Sequence, residues 1–180
     1  MSNALNLLMN GNVFLYYGEE LGMKGSGKDE NKRAPMYWSK DGNAEGMCKG
    51  PADMDDFRMK FDSLEEQQED PDSIYNYVKQ VIRVRNQNPV IARGTTAYLE
   101  QYSGEQCFAL TRSYEGSNLL LLGNTSAEAV SVDLTGLTVG GTTAEELVLL
   151  GELYTGEETA ERAGTVVTLP AYSILILGEE

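Results

Sequence analysis

Apolar residues recur at helical intervals in two parts of the chain. Leu5, Leu8 and Met9 precede Gly11 and predict the end of an amphipathic helix over residues 3–10. Residues 73–86 carry the clearest pattern, which predicts one long helix ending before Asn88-Pro89. Its predicted apolar stripe consists of Ile74, Tyr77, Val78, Val81 and Ile82.

Between these helices the pattern changes twice. The uninterrupted apolar run Val13–Tyr17 predicts a strand over residues 12–17 that is buried on both faces, as in a parallel sheet covered by helices. Gly18 and the adjacent carboxylates Glu19 and Glu20 follow it directly. Residues 24–72 are polar and lack strong periodicity, which predicts a long irregular loop of the kind that often serves a function.

After residue 92 the chain alternates short apolar runs with turn residues. This pattern predicts seven strands in an antiparallel sandwich or barrel. The strands are predicted near residues 95–102, 106–113, 118–123, 129–134, 147–154, 164–169 and 172–177.

Composition and net charge exclude some classes of function. Hydrophobic content of 41% and charged content of 23% are typical of a globular domain, and the net charge of −14 argues against nucleic-acid binding. Residues 1–91 have a net charge of −4 and residues 92–180 a net charge of −10, which predicts a domain boundary near residue 91. No apolar run approaches the ~20 residues of a membrane span. No signal peptide is recognisable, and localisation in the cytoplasm or outside it stays open.

The absence of histidine excludes a Ser-His-Asp triad, a Cys-His pair and histidine-ligated metal sites. Cys48 and Cys107 match no CxxC spacing, so two separate thiols are expected, with a disulfide left open. The acidic stretch at residues 53–56 does not reproduce the spacing of a calcium loop. We therefore expect neither a metal nor a cofactor in this chain.

Several segments resemble the alpha-amylase family, glycoside hydrolase family 13, in the order in which that family has them. "GNVFLYYGEELGM" at 11–23 resembles its eighth barrel strand, and "DENKRAPMYW" at 29–38 resembles the loop that follows. Residues 70–94 resemble the final barrel helix and its exit, and "LPAYSILIL" at 169–177 resembles the last strand of the C-terminal sandwich. The first two motifs are the more specific.

The resemblance implies a mainly β fold: an antiparallel β-sandwich of the alpha-amylase C-terminal type, preceded by a remnant of a (β/α)8 barrel. Residues 1–91 would hold the last strand, the long loop and the last helix of the catalytic barrel, and residues 92–180 the sandwich. Active sites of such barrels lie at the C-terminal ends of the strands, which is where Glu19 and Glu20 would stand.

The resemblance also implies a function. The chain would be the C-terminal fragment of a retaining, α-glucan-acting hydrolase of the α-amylase or α-glucosidase type, meeting α-glucan or maltooligosaccharide through the parent enzyme. The family's catalytic carboxylates lie on earlier strands, so no catalytic residue maps here and the chain alone is expected to be inactive, while calcium in the parent stays open. The alternative is a non-catalytic β-sandwich that binds carbohydrate or another protein.

Three residues are candidates for substrate binding. Arg33 would donate to sugar hydroxyls, or else pair with Asp29 or Glu30. Trp38 would stack on a sugar face, or else pack the loop onto the barrel. Glu20 would contact substrate, or else accept hydrogen bonds that hold the barrel rim.

The predicted strand 12–17 also suggests an interaction surface. A strand with two apolar faces and two unpaired edges tends to pair with another chain. We therefore expect self-association through residues 12–17.

Overall fold

The computed structural model describes residues 1–42 and 44–179. The chain divides into two compact units, one made of Met1–Val13 with Gln80–Glu180 and the other of Phe14–Lys79. The division falls within a single helix, α4 (Ile74–Gln87). The boundary predicted near residue 91 remains a prediction.

The helices α1 (Ser2–Leu7), α2 (Asp29–Lys32), α3 (Leu64–Glu69), α4 and α5 (Pro89–Arg93) follow in chain order. The long helix predicted over 73–86 is confirmed as α4, and Val78 and Val81 in its apolar stripe are buried. The helix predicted over 3–10 ends earlier, at Leu7. Pro89 starts α5, where its fixed φ and missing N–H cost nothing. Among the described residues no helix has the length and apolar character needed to cross a bilayer.

The described residues form ten strands, all within the second half of the chain. In order these are β1 (Thr95–Tyr98), β2 (Cys107–Tyr114), β3 (Ser117–Asn124), β4 (Val130–Asp133), β5 (Thr138–Val139), β6 (Thr142–Thr143), β7 (Val148–Leu153), β8 (Glu161–Ala163), β9 (Val166–Leu169) and β10 (Ile174–Gly178).

Five of the strands form one antiparallel sheet in the order β1-β2-β3-β10-β7, and three form a second in the order β4-β9-β8. Side chains from both sheets meet in one hydrophobic cluster that includes Leu120 and Leu122 of β3, Val167 of β9 and Leu177 of β10. This arrangement is a β-sandwich. The prediction of mainly antiparallel β-structure after residue 92 is therefore confirmed.

The strand predicted over 95–102 extends only to Tyr98. The chain then turns through a 3-10 helix, Glu100–Tyr102, and the side chain of Tyr102 packs into the sandwich core. Strands β5 and β6, each of two residues, were not predicted, because so short a segment has no alternating pattern to read.

The unit formed by residues 14–79 is largely irregular, as predicted for its long polar segment. Its organising residue is Gln67 of α3, which is 3% exposed. The Gln67 amide donates to the carbonyls of Leu21 and Asp62, at 3.0 and 2.7 Å, and its oxygen accepts from the Tyr75 N–H at 3.1 Å. One side chain thereby satisfies backbone groups from three separate segments, in a region with few regular hydrogen bonds of its own.

The prediction of a buried strand over residues 12–17 is wrong for this structure. The segment is not part of any strand, and the side chains of Phe14 and Tyr16 are 86% and 55% exposed. A strand is defined by hydrogen bonds to a neighbour, and no other strand occurs among the described residues before Thr95. The apolar side chains of residues 14–17 favour burial, but they are exposed in this structure.

Candidate functional site

A cleft of about 320 Å³ lies beside the Tyr-Gly-Glu-Glu motif, within the unit formed by residues 14–79. It brings together the two motifs that sequence analysis singled out, residues 11–23 and 29–38. Its lining consists of Tyr16, Tyr17, Gly18, Glu19, Met23, Lys24, Gly25, Asn31, Lys32 and Ala34.

Tyr17 ties the two motifs together. Its hydroxyl donates to the Ala34 carbonyl at 2.9 Å, and its ring lies 4.8 Å from the ring of Tyr16. Loss of solvent around the phenol, together with the neighbouring Tyr16, raises the pKa of Tyr17. The side chain is therefore a neutral phenol at physiological pH, which can pack and donate a hydrogen bond but cannot serve as a base.

Two glycines give the motif its tight turn. Gly18 and Gly22 have φ values of +86° and +65°, in the left-handed region that other residues avoid. Between them Glu19–Leu21 forms one 3-10 turn, and the Met23 N–H returns to the Gly18 carbonyl at 2.9 Å. A Cβ on Gly18 would lie 2.5 Å from Met23 Sδ. Both conformation and crowding therefore require glycine at this position.

Asn31 joins the second motif, residues 29–38, to a later part of the loop by hydrogen bonds to Asp55. The side chain is 4% exposed; its amide donates to Asp55 Oδ2 at 2.8 Å, and its oxygen accepts from the Asp55 N–H at 2.9 Å. Lys28 pairs with the same carboxylate at 2.8 Å. The hydrogen bond from Asn31 and the Lys28 charge hold the pKa of Asp55 below its ordinary value. Sequence analysis missed this pair, since 24 positions separate the two residues and only folding joins them.

The three predicted substrate-binding residues do not line the cleft. Arg33 contacts Glu30 at 3.7 Å and the Asp29 carbonyl at 3.4 Å, and its side chain is 59% exposed. Trp38 is 41% exposed, and its carbonyl accepts from the Glu65 N–H at 3.2 Å. Their roles in binding remain predictions.

Glu20 lies within the 3-10 turn rather than at the end of a strand. One of its carboxylate oxygens is buried and has no hydrogen-bond partner among the described residues. A carboxylate in that position is costly unless something donates to it. The predicted rim-holding role would require donors that the described residues do not supply.

The two carboxylates of the Tyr-Gly-Glu-Glu motif are not arranged as a retaining pair. Retaining glycosidases hold two carboxyls about 5–5.5 Å apart on either side of the bond. Glu19 and Glu20 occupy successive positions of one 3-10 turn, where side chains diverge by about 120°. Within residues 1–42 and 44–179 no three acidic or cysteine side chains form a group that could hold a metal ion, and both cysteines are free thiols.

Comparison with known proteins places these features in a family. The alpha-amylase catalytic domain matches residues 1–94 of the chain. An alpha-amylase of Streptomyces lividans is 26% identical over 98% of this chain and 18% of its own length. The trehalose synthase of Thermus thermophilus is 28% identical over 73% of this chain and 15% of its own. The chain thus spans less than a fifth of these curated relatives.

Solved structures give the same result. The structure of Eubacterium rectale Amy13B matches with a TM-score of 0.90 and 41% identity, over 99% of this chain and 34% of that one. The alpha-amylase from H. orenii matches with a TM-score of 0.74 and 26% identity, over 99% of this chain and 34% of that one. Because the catalytic-domain match covers residues 1–94 of the 180, the chain belongs to the alpha-amylase family.

Proposed function

We propose that this chain is the C-terminal part of an α-glucan-acting glycoside hydrolase. The observation that carries the proposal is the similarity to Amy13B, which extends over 99% of this chain but only 34% of that protein. The names of the relatives, alpha-amylase and trehalose synthase, support α-linked glucosides as the substrate class. The chain would then contribute to an active site whose catalytic carboxylates are held by other parts of the enzyme.

In this proposal residues 1–91 are the end of a (β/α)8 barrel and residues 92–180 its C-terminal sandwich. The exposed run Phe14–Tyr17 supports it, because those side chains would gain neighbours if barrel strands paired on both edges. The turn Gly18–Gly22 would then stand at the C-terminal rim, where barrel enzymes bind substrate. Glu20, Arg33 and Trp38 would act there as contacts to sugar hydroxyls or to neighbouring rim residues.

Two measurements test the proposal. The isolated chain should release no reducing sugar from starch or maltooligosaccharides. A chimera in which these 180 residues replace the matching third of Amy13B should retain the activity that unmodified Amy13B shows on the same panel of α-glucans. The identity of 41% makes such a graft feasible.

The results separate the proposal from the alternative of a stand-alone binding module. A folded chimera without activity would contradict the catalytic role. Turnover by the isolated chain that disappears in Glu20→Gln would show instead that this chain carries its own catalytic carboxylate. The match of the catalytic domain to residues 1–94 favours the enzyme, since a binding module has no use for that segment.

A further inference from the structure

A second groove, far in sequence from the Tyr-Gly-Glu-Glu motif, lies on the β-sandwich. It has a volume of about 600 Å³, within the range of small-molecule sites. The groove runs between the 3-10 helix Glu100–Tyr102 and the turn that leads into β5. Its lining consists of Tyr98, Leu99, Glu100, Gln101, Tyr102, Gly136, Leu137 and Thr138.

The aromatic wall of this groove is an exposed ring. Tyr98 ends the edge strand β1 and is 61% exposed, although its backbone is held in register opposite Leu110 of β2. The ring therefore faces solvent while its backbone is held by the sheet. An exposed ring on a rigid support is costly to hydrate and suited to stacking on an apolar face.

The polar wall of the groove consists of Glu100 and Gln101, whose side chains are available to bind a ligand. The side chains of Glu100 and Gln101 are exposed and make no hydrogen bond or ion pair among the described residues. Together they offer a carboxylate, an amide oxygen and an amide N–H, which can accept from and donate to hydroxyl groups. A purely apolar ligand would strip water from these groups without replacing it, so the groove favours a ligand with both an apolar face and hydroxyls.

Hydrogen bonds fix the backbone on both sides of the groove, so the groove can bind a ligand without rearranging. Tyr102 joins them, because it is buried and its hydroxyl donates to the Thr135 carbonyl at 3.2 Å. On one side Ser103 Oγ donates to the Leu99 carbonyl at 2.8 Å. On the other Asp133 accepts from the Thr135 N–H at 2.9 Å. A preorganised groove binds with less loss of conformational entropy.

The negative charge in and around the groove favours a neutral ligand over an anionic one. Glu100 is the only ionisable acidic group of the lining, and no lysine or arginine borders it. Residues 92–180 carry a net charge of −10, so the surrounding field repels phosphate, sulfate and uronate groups. A neutral polyhydroxyl ligand meets no such barrier.

From these features we propose that the groove around Tyr98 is a glycan-binding site on the sandwich, which stacks a neutral α-glucan on the Tyr98 ring and binds its hydroxyls through Glu100 and Gln101. The choice of α-glucan, rather than another neutral glycan, rests on the proposed function. The site would hold polymer on the enzyme and raise its local concentration.

The test is calorimetric titration of the full 180-residue chain with maltoheptaose. Tyr98→Ala should weaken binding by about tenfold or more. The matched control is Tyr172→Ala, which removes a 42% exposed tyrosine outside the groove and should change affinity less than about twofold. Tyr98→Phe keeps the ring and should restore binding, and Gln101→Ala provides an independent variant. Thermal unfolding verifies that each variant is folded.

Three results would overturn the proposal: no binding of maltoheptaose, equal binding by Tyr98→Ala, or equal affinity for cellohexaose. Raising the salt concentration should leave the affinity for maltoheptaose unchanged, since the ligand is neutral, and a loss of binding in high salt would contradict binding through its hydroxyl groups. Failure of this proposal can be distinguished from failure of the proposed function, because the first is measured as binding to the isolated chain and the second as hydrolysis by the chimera.

Discussion

Arg85 of α4 and Arg112 of β2 both donate to backbone carbonyls at the C-terminal end of α1 and just beyond it. Arg85 donates to the carbonyls of Leu7 and Met9, both at 2.6 Å, and Arg112 donates to the Leu8 carbonyl at 3.0 Å. Burial lowers the pKa of Arg112, and the Arg85 charge lowers it further. Two cations thus share one site in which backbone carbonyls at a helix C-terminus, rather than carboxylates, provide the negative end of the dipole.

We expect Arg112→Met to reduce the free energy of unfolding by about 1–3 kcal/mol. Arg112 is 5% exposed, and without its guanidinium the carbonyls of Leu8 and Ile91 lose this donor. Relief of the buried charge offsets part of this loss, since Arg112 Nε has no partner among the described residues. Urea denaturation would measure the change.

The control for this variant is Arg83→Met. Arg83 is on the same helix as Arg85, is exposed, and forms no ion pair among the described residues, so its loss should change stability by less than about 0.5 kcal/mol. Equal stability of Arg112→Met and the wild type would show that α1 does not depend on the arginine.

Gly18→Ala should destabilise the unit formed by residues 14–79 by more than the left-handed backbone alone explains. A left-handed residue with a Cβ costs roughly 1–2 kcal/mol. At Gly18 the added methyl would also lie 2.5 Å from Met23 Sδ. Gly46→Ala is the matched control, because Gly46 has nearly the same φ, +84°, and open space where its Cβ would be. The comparison isolates crowding from backbone strain; equal losses would contradict the packing argument.

Lowering the pH should reduce the stability of the unit formed by residues 14–79, because Asp55 becomes protonated. The folded pKa of this carboxylate lies below its ordinary value of 3.8, because Asn31 and Lys28 stabilise the charged form. The unfolded chain therefore takes up the proton first. The contribution of Asp55 is complete above the unfolded pKa and disappears as pH falls through the folded pKa.

Fluorescence of Trp38, the single tryptophan, can follow this transition between pH 6 and pH 2. Asp55→Asn should make stability less dependent on pH below about 4. Asp56→Asn changes the neighbouring exposed carboxylate, which has no partner among the described residues, and should leave the profile unchanged. If the two variants behave alike, the Asn31–Asp55 contact does not hold the segment.

The exposed run at residues 14–17 should cause self-association at high micromolar concentration. The run exposes large apolar side chains and belongs to no strand among the described residues. Light scattering should give a dimer mass for the wild type and a monomer mass for a Phe14→Ser, Leu15→Ser double variant. A Leu149→Ser variant changes another exposed apolar side chain, 51% exposed and in β7, and should remain dimeric. A monomeric wild type would reject the prediction.

Local sequence patterns determined most of the longer helices and strands of this protein. The helical spacing of Val78 and Val81 predicted α4, because burial of one face needs only that period. Short apolar runs bounded by turn residues predicted β2, β3 and β10 to within about two residues, since each of these strands contributes side chains to the sandwich core.

Contacts between distant residues could not be predicted in this way. The sheet order β1-β2-β3-β10-β7, the pairing of Asn31 with Asp55 and the convergence of Arg85 and Arg112 all join residues far apart in the chain. The segment 12–17 shows the limit most directly. Its composition specifies a buried strand, but a strand also needs a neighbour to accept its hydrogen bonds, and only the tertiary structure determines whether one is present.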